Sequence, residues 1–346
     1  MINFRIFAAL FLFIGCSSNS VKYALPSFKQ ETAVRFEQLS DELLMSPHRI
    51  FAYRDWIILI GSNGITDDTF FLYDKSSGKL ILSDIKYGNG PKETTLGVLD
   101  VSFQRGVLSY YDLQSRKRLS FSIDEYLQKG AEAVHEEKLE ISSPWIEQVS
   151  DAGRCRILIG NKGFFSQDTV SVPHIQMRDS LGHISTYSKE TIPDASVRFY
   201  AYNQPLVGIS PDGKKMAVGS SLGAILETFR LSPKLENNAT RYFSEPKLEI
   251  TEDNSAPRGE TIVGFGSMSC TDYAVFATFD ETCYSEAADR MLFTDIAEFD
   301  WDGNPVRLYR SDCGIEQFCV DPEEEIVYAV ISDQDNTYYL AKAKMD

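Results

Sequence analysis

Few residues in this chain of 346 are grouped as chemistry requires. Gly219-Ser220-Ser221-Leu222-Gly223 matches the G-x-S-x-G arrangement that presents a serine hydroxyl for acyl transfer. That task needs a sharp strand-to-helix elbow. The residues that follow, AILETFRL, alternate as a strand does, so the serine reads as part of a hairpin. Oxygen-rich stretches at 300–304 (DWDGN) and 332–336 (SDQDN) lack the length and terminal Glu of a calcium loop. Asp, Asn and Gly also favour left-handed turns, and both stretches read as turns. His48, His135, His174 and His183 are scattered singly, with His183 in an exposed turn, and no Cys-x-x-Cys pair exists. No catalytic residue, metal site or cofactor is therefore expected. Asn238-Ala239-Thr240 has the pattern of a glycosylation sequon and carries little weight alone.

One thiol has a definite task. Residues 6–14 (IFAALFLFI) follow a single cation, Arg5, and are too short to span a bilayer stably, which suits a signal segment. The run stops at Gly15-Cys16. The segment FIGC resembles the lipobox of bacterial lipoproteins, with Phe13 where Leu is usual. It predicts cleavage before Cys16 and lipidation of its thiol, two or more acyl chains giving a stable anchor. The expected division is a signal peptide at 1–15, a lipidated tether at 16–29 and one domain at 30–346, held in the cell envelope, at the outer membrane, facing periplasm or surface. Five further cysteines, Cys155, Cys270, Cys283, Cys313 and Cys319, cannot all pair with one another and read as small buried hydrophobes.

Charge narrows the partners. The formal charge of −16 falls to −17 once Arg5 is removed, and no basic cluster interrupts it. That excludes nucleic acid as the main partner and leaves the lipid anchor as the sole membrane contact.

The elements that must position any site come from a repeat. A short apolar strand, a polar turn, a second apolar strand and a loop lead to an alternating strand that ends in Asp or Ser. The third strand recurs as FFLYDKSSGKLI (70–81), LSFSIDEYLQ (119–128), IQMRDSLGHI (175–184), LETFRLSPKL (226–235), IAEFDWDGNP around Ala297 and YYLAKAKMD (338–346). Between the markers Asp74, Asp124, Asp179, Ser232 and Asp300 the intervals are 50, 55, 53 and 68 residues. The first two strands are clear at 206–210 and 216–220, joined by PDGKK, and at 315–320 and 326–332, joined by DPEEE. Helix candidates are confined to 37–45 and 285–291. The final copy lacks its fourth strand, and residues 33–39 (AVRFEQL) can supply it. The fold class is therefore all-β: a six-bladed β-propeller of four-stranded antiparallel blades, the N-terminal strand closing the last blade, with seven blades as the alternative.

Two segments carry a family likeness. SPDGKKMAV (210–218) is similar to the strand-joining turn of TolB-type propellers. YGNGPKE (87–93) resembles the G-x-G-P-x-E signature of TolB-like six-bladed propeller lipoproteins. The resemblance implies an exported, lipid-anchored propeller and supplies no catalytic residues.

In such a ring the loops entering each innermost strand share one face with the loops joining second and third strands. The entering loops are 88–94, 142–148, 198–204, 255–261 and 311–317, and the longest joining loops, 161–173 and 281–295, fall on the same face. Enlarged loops on one face point to function there. The channel-mouth candidates are Trp145, Glu147, Arg198, Tyr200, Tyr202, Arg258, Glu260 and Glu316, which combine aromatic surface with charge. The triplet Ile-Glu-Gln occurs twice among them, at 146–148 and 315–317. The preferred reading is a non-enzymatic binding or scaffold module for a protein, peptide or glycan. The alternative is a metal-dependent hydrolase or lactonase-like enzyme using Glu147, Glu260 and Glu316 in the channel.

Overall fold

A computed structural model describes residues 22–40, 46–95, 99–139, 146–160, 174–188, 192, 195–250, 255–287, 293–321, 323–332 and 337–345. Two short strands come first, β1 (Gln30–Ala33) and β2 (Glu37–Gln38). Blade 1 is β3 (Ser46–Tyr53), β4 (Trp56–Ser62), β5 (Asp68–Asp74) and β6 (Leu80–Lys86). Blade 2 is β7 (Leu99–Gln104), β8 (Val107–Asp112), β9 (Lys117–Ser122) and β10 (His135–Lys138). Blade 3 is β11 (Ile146–Ala152), β12 (Cys155–Gly160), β13 (Ile175–Arg178) and β14 (Ile184–Tyr187). Blade 4 is β15 (Leu206–Ile209), β16 (Lys215–Gly219), β17 (Ala224–Arg230) and β18 (Glu236–Ser244). A small hairpin, β19 (Leu248–Ile250) and β20 (Ser255–Pro257), precedes blade 5, which is β21 (Ile262–Cys270), β22 (Ala274–Cys283), β23 (Asp295–Asp300) and β24 (Pro305–Arg310). Blade 6 is β25 (Gly314–Asp321), β26 (Ile326–Ser332) and β27 (Tyr338–Lys344), with β2 as its outer strand. Six blades form the ring, as the repeat implies.

The middle strands show why this pattern makes a propeller. Both faces of a blade pack on neighbouring blades, so β4 (WIILIGS) and β5 (DTFFLYD) are buried almost throughout and read as apolar runs. Outer β6 meets solvent and has a mixed pattern. Apolar seams follow between blades: Ile58, Phe70, Tyr110 and Phe121 between the first two, and Ile57, Leu59, Tyr328 and Val330 between the first and last.

The closing strand is short, but the N-terminal segment does more than close the last blade. Glu37 and Gln38 pair antiparallel with Lys342 and Ala341, and Leu39 N–H donates to Leu340 at 2.8 Å. Upstream, β1 adds to blade 5 as a fifth, parallel strand on β24. Ala24 N–H donates to the Tyr242 carbonyl of blade 4 at 3.0 Å, and Phe28 packs on Phe279 and Phe299 of blade 5. The Leu39 backbone lies against Gly78 of blade 1. The segment is thus a belt along the rims of successive blades. At the seam between blades 6 and 1, the buried Lys75 ammonium pairs with the Asp321 carboxylate.

Three local expectations are corrected. The strand expected over 119–128 ends at Ser122, and α1 (Ile123–Lys129) follows, burying Ile123 and Tyr126 on the seam between blades 1 and 2. Asp124 and Glu125 occupy its first turn, where the helix dipole favours them. Residues 198–204, expected as an open loop, belong largely to α2 (Ala195–Ala201). Of the helix candidates, 37–38 are strand and 41–45 lie outside the described residues; of the second, 285–287 belong to α3 (Tyr284–Ala287) and 288–291 lie outside the described residues. The long interval of 68 contains the inserted hairpin β19–β20. Among the described residues no helix is long and apolar enough to cross a membrane.

Candidate channel site

The innermost strands β3, β7, β11, β15, β21 and β25 run in one direction around the axis, so the channel has two unlike ends. At one end they turn back through tight hairpins to the second strands. At the other end the chain crosses between blades. A cavity of about 480 Å³ opens at the hairpin end. Phe51, Tyr53 and Phe103 form an aromatic wall: Phe103 lies 5.3 Å from the Phe51 ring and 5.5 Å from the Tyr53 ring. Ile209, Met268 and Val320 continue the apolar lining from blades 4, 5 and 6. Gly106 has φ +78°, and a Cβ there would collide with the Tyr53 hydroxyl, so glycine lets that ring lie over the second hairpin.

Four cations reach this cavity, and three are held by the protein itself. Arg54 pairs with Asp124 at 2.8 Å and stacks over the Tyr53 ring. Arg105 donates to the Asp212 carbonyl at 2.9 Å, and Lys75 pairs with Asp321. Arg49 differs. It lies on β3 farther from the hairpins than the rest of that strand's lining and donates to the adjacent His48 carbonyl at 3.1 Å. Among the described residues it forms no salt bridge within 4.0 Å. Burial lowers its pKa, and Asp100 opposes that shift.

Asp100, on β7, is 5% exposed. Its carboxyl accepts from Val149 N–H and, at 3.2 Å, from the Gln148 amide. Burial pushes its pKa up to about 7 against the pull of Arg49. The Gln148 Oε1 atom, also buried, has no hydrogen-bond partner among the described residues. Ser267 Oγ donates to Gln317 Oε1 at 3.2 Å. Arg49, Asp100, Gln148, Ser267 and Gln317 thus form a polar tier on the inner strands of five blades.

The repeated Ile-Glu-Gln triplets mark β-bulges at the start of β11 and β25, which recur between Pro47 and Arg49 in β3 and between Ile262 and Gly264 in β21. A bulge re-aims the residues after it, and Gln148, Gln317 and Arg49 all follow one.

The residues expected at the crossover end are dispersed. Trp145 lies outside the described residues, as do residues 161–173. Glu147 occupies the bulge of β11. Arg198, on α2, donates to the Ile192 carbonyl at 2.7 Å, and Tyr200 packs half-buried into the apolar seam between blades 3 and 4. Tyr202 is buried: its hydroxyl donates to Glu227 at 3.0 Å, and His174 approaches the same carboxylate oxygen at 3.0 Å. This tyrosine organises a seam and faces no mouth. Arg258 is exposed, with Nε on the Leu248 carbonyl, and Glu260 is exposed 4.0 Å from Lys247. Glu316 keeps an accessible carboxylate, which the surrounding walls still push to a raised pKa. Among the described residues no three His, Cys, Asp or Glu side chains converge as a metal would need.

The profile of the TolB-like 6-blade propeller-like family matches residues 27–323. The chain belongs to this family. Among solved structures, a Bacteroides fragilis protein described as exported superposes with a TM-score of 0.53 at 13% identity, covering 92% of this chain and 99% of its own. U3-55K superposes with a TM-score of 0.51 at 9% identity, covering 90% of this chain and 98% of its own. At such identities the likeness speaks for the fold alone. A search of curated proteins finds no match.

In this TolB-like propeller the G-x-G-P-x-E segment has a structural task. The Glu93 carboxylate accepts from Gly90 N–H at 2.6 Å, and a Cβ on Gly88 or Gly90 would strike that carboxylate. Lys117 donates to the Gly90 carbonyl at 2.9 Å, which ties the loop to blade 2. Of the other patterns, Ser221 donates to the Ala201 and Asn203 carbonyls at 3.1 and 2.6 Å, as a hairpin residue would. Asp300 accepts from Asp302 and Asn304 N–H groups in a turn. His183 is exposed and pairs with Asp179 in its turn.

Sequence reading passed over the lining of the hairpin end: Arg49, Phe51, Tyr53, Phe103 and Gln317 among others. Two signals were present. Arg49, Asp100, Gln148, Ser267 and Gln317 are polar residues recurring within inner strands, one per blade in five of the six. Arg54 and Arg105 also take left-handed backbone at φ 49° and 53°, where Gly or Asn is favoured over Arg by roughly 1 kcal/mol.

Proposed function

We propose that this TolB-like propeller is an exported, lipid-anchored binding module that receives its ligand in the hairpin end of its channel. The carrying observation is the cavity of about 480 Å³ with its aromatic wall and one cation, Arg49, left without an ion pair among the described residues. Sites that take small ligands or protruding side chains are concave, largely apolar and furnished with a few polar groups. A protein, peptide or glycan partner would present such a group to the mouth. The envelope location draws on the apolar run 6–14 before Cys16 and on the B. fragilis neighbour described as exported. Of the crossover-end set, Arg258, Glu260 and Glu316 keep exposed side chains and offer a second, less walled approach.

Two measurements test this. Cys16→Ser should abolish fatty-acid labelling and release the protein from the membrane fraction; persistence in that fraction removes the anchor. Peptide and glycan fractions of the envelope should include at least one that raises the melting temperature of the native protein but not of Gln104→Trp, a change that adds bulk to a residue lining the cavity. Equal shifts in both proteins, or none, remove the cavity as the binding site.

A further inference from the structure

We propose that the hairpin-end cavity recognises a carboxylate carried on an apolar or aromatic body, with the carboxylate seated on Arg49. The inference rests on the binding-module reading and names its ligand class.

Three observations converge. First, charge in the cavity is unevenly satisfied. Arg54, Lys75 and Arg105 have protein acceptors, whereas among the described residues Arg49 presents a guanidinium with one hydrogen bond, to a neighbouring carbonyl. Guanidinium offers five N–H donors in a fork that matches a carboxylate edge-on. A confined cation with no ion pair within 4.0 Å among the described residues is costly, and an incoming anion offsets that cost. Asp100 lies close enough to interact with Arg49, yet its hydrogen bonds go to Val149 and Gln148, so it does not occupy the fork.

Second, the cavity is layered. Arg49 and Gln317 lie deepest, before the strand residues that lead up to the hairpins. Above them stand Phe51, Phe103 and Met268, and Tyr53 with the paired cations frames the opening. A ligand with its charge at the leading end and an apolar body behind it fits that order. A neutral sugar carries no carboxylate to seat on Arg49. Third, the volume suits one amino-acid-sized group or a short chain terminus.

A free acid and the C-terminus of a peptide share this chemistry, and paired probes separate them. Phenylacetate and N-acetylphenylalanine are titrated calorimetrically beside their amides, phenylacetamide and N-acetylphenylalanine amide, into wild type, Arg49→Gln, Arg49→Lys and Gln104→Trp. Wild type is expected to bind at least one acid with a Kd of about 1 mM or tighter and its amide about tenfold more weakly. Arg49→Gln should erase that preference, and Gln104→Trp should erase binding of both. Tighter binding of N-acetylphenylalanine marks a chain terminus as the source, and tighter binding of phenylacetate a free acid. Equal binding of acid and amide by wild type overturns the carboxylate assignment and leaves the cavity standing. A preference kept in Arg49→Gln does the same for Arg49. Should Arg49→Gln fail to fold, the wild-type acid-to-amide ratio and Arg49→Lys decide. No saturable binding to wild type up to about 20 mM, or unchanged binding to Gln104→Trp, overturns both the ligand class and the cavity.

Discussion

The two ends of the channel are built from the same repeat and carry different burdens. At the crossover end the chain must travel between blades, and its chemistry-bearing side chains are drawn into that travel. Tyr202 and His174 meet on Glu227, Arg198 holds a backbone carbonyl, and Glu93 braces the loop into blade 2. At the hairpin end the turns are short, connection is cheap, and side chains are free to line a cavity. Loop length draws attention to the first end, but depth and walls lie at the second. In a ring of repeats, variable length marks where the chain is being routed as much as where a ligand sits.

The largest effect that would break this comparison lies on the seam beside the hairpin mouth. Lys75→Met leaves Asp321 buried without its counter-charge and should cost about 3–5 kcal/mol, a fall in melting temperature on the order of 10 °C. Adding Asp321→Asn should recover part of the loss. If Lys75→Met melts like wild type, the seam does not depend on the pair and the hairpin end is less rigid than its geometry implies.

A smaller, graded effect belongs to Asp100. Its folded pKa of about 7 exceeds the ordinary carboxyl value of 3.8, so the folded state holds an extra proton between those limits. Stability therefore falls as pH rises through that window, by up to roughly 1.4 kcal/mol per unit, and levels off above it. Asp100→Asn should flatten the profile, as melts from pH 4 to 8 would show. The groups packed on Asp100 are Arg49 from blade 1 and the Gln148 and Val149 amides from blade 3. Lys75, Asp321, Glu323, Arg54 and Arg105 sit nearer the mouth. Above pH 7 the ionised Asp100 competes for Arg49, so acid binding should weaken in wild type and hold steady in the variant. Parallel pH profiles in the two proteins would contradict this.

The smallest effect sharpens the contrast from the other side. Arg258→Ala, exposed at the crossover end, should change stability by no more than about 0.5 kcal/mol and leave carboxylate binding intact. Loss of ligand capture in this variant would move the working mouth to the crossover end.

Much of the ring was legible because burial on both faces writes long apolar runs into β4, β5 and their counterparts. The closing role of residues 33–39 followed from counting strands. Less legible were features set by partners distant in sequence. Residues 123–129 follow on from an alternating strand, and nothing local shows that Ile123 and Tyr126 will fill a seam between blades. The parallel pairing of β1 depends on an edge of blade 5. The polar tier escaped notice because each member is one of several polar residues in its own strand, and only superposing the strands brings Arg49, Asp100, Gln148 and Gln317 to one level.

The belt carries a consequence for the order of folding. Glu37 pairs with Lys342 and Gln38 with Ala341, contacts between residues far apart in the sequence. Pairing at that separation pays its loop entropy before any contact rewards it. Blades 1 to 4 are each built from four strands consecutive in the chain, while blade 6 keeps an unpaired edge until β2 returns to it. The strand that precedes blade 1 in sequence is thus among the last to find its place, and until then the unfinished ring has a strand edge open to any neighbour.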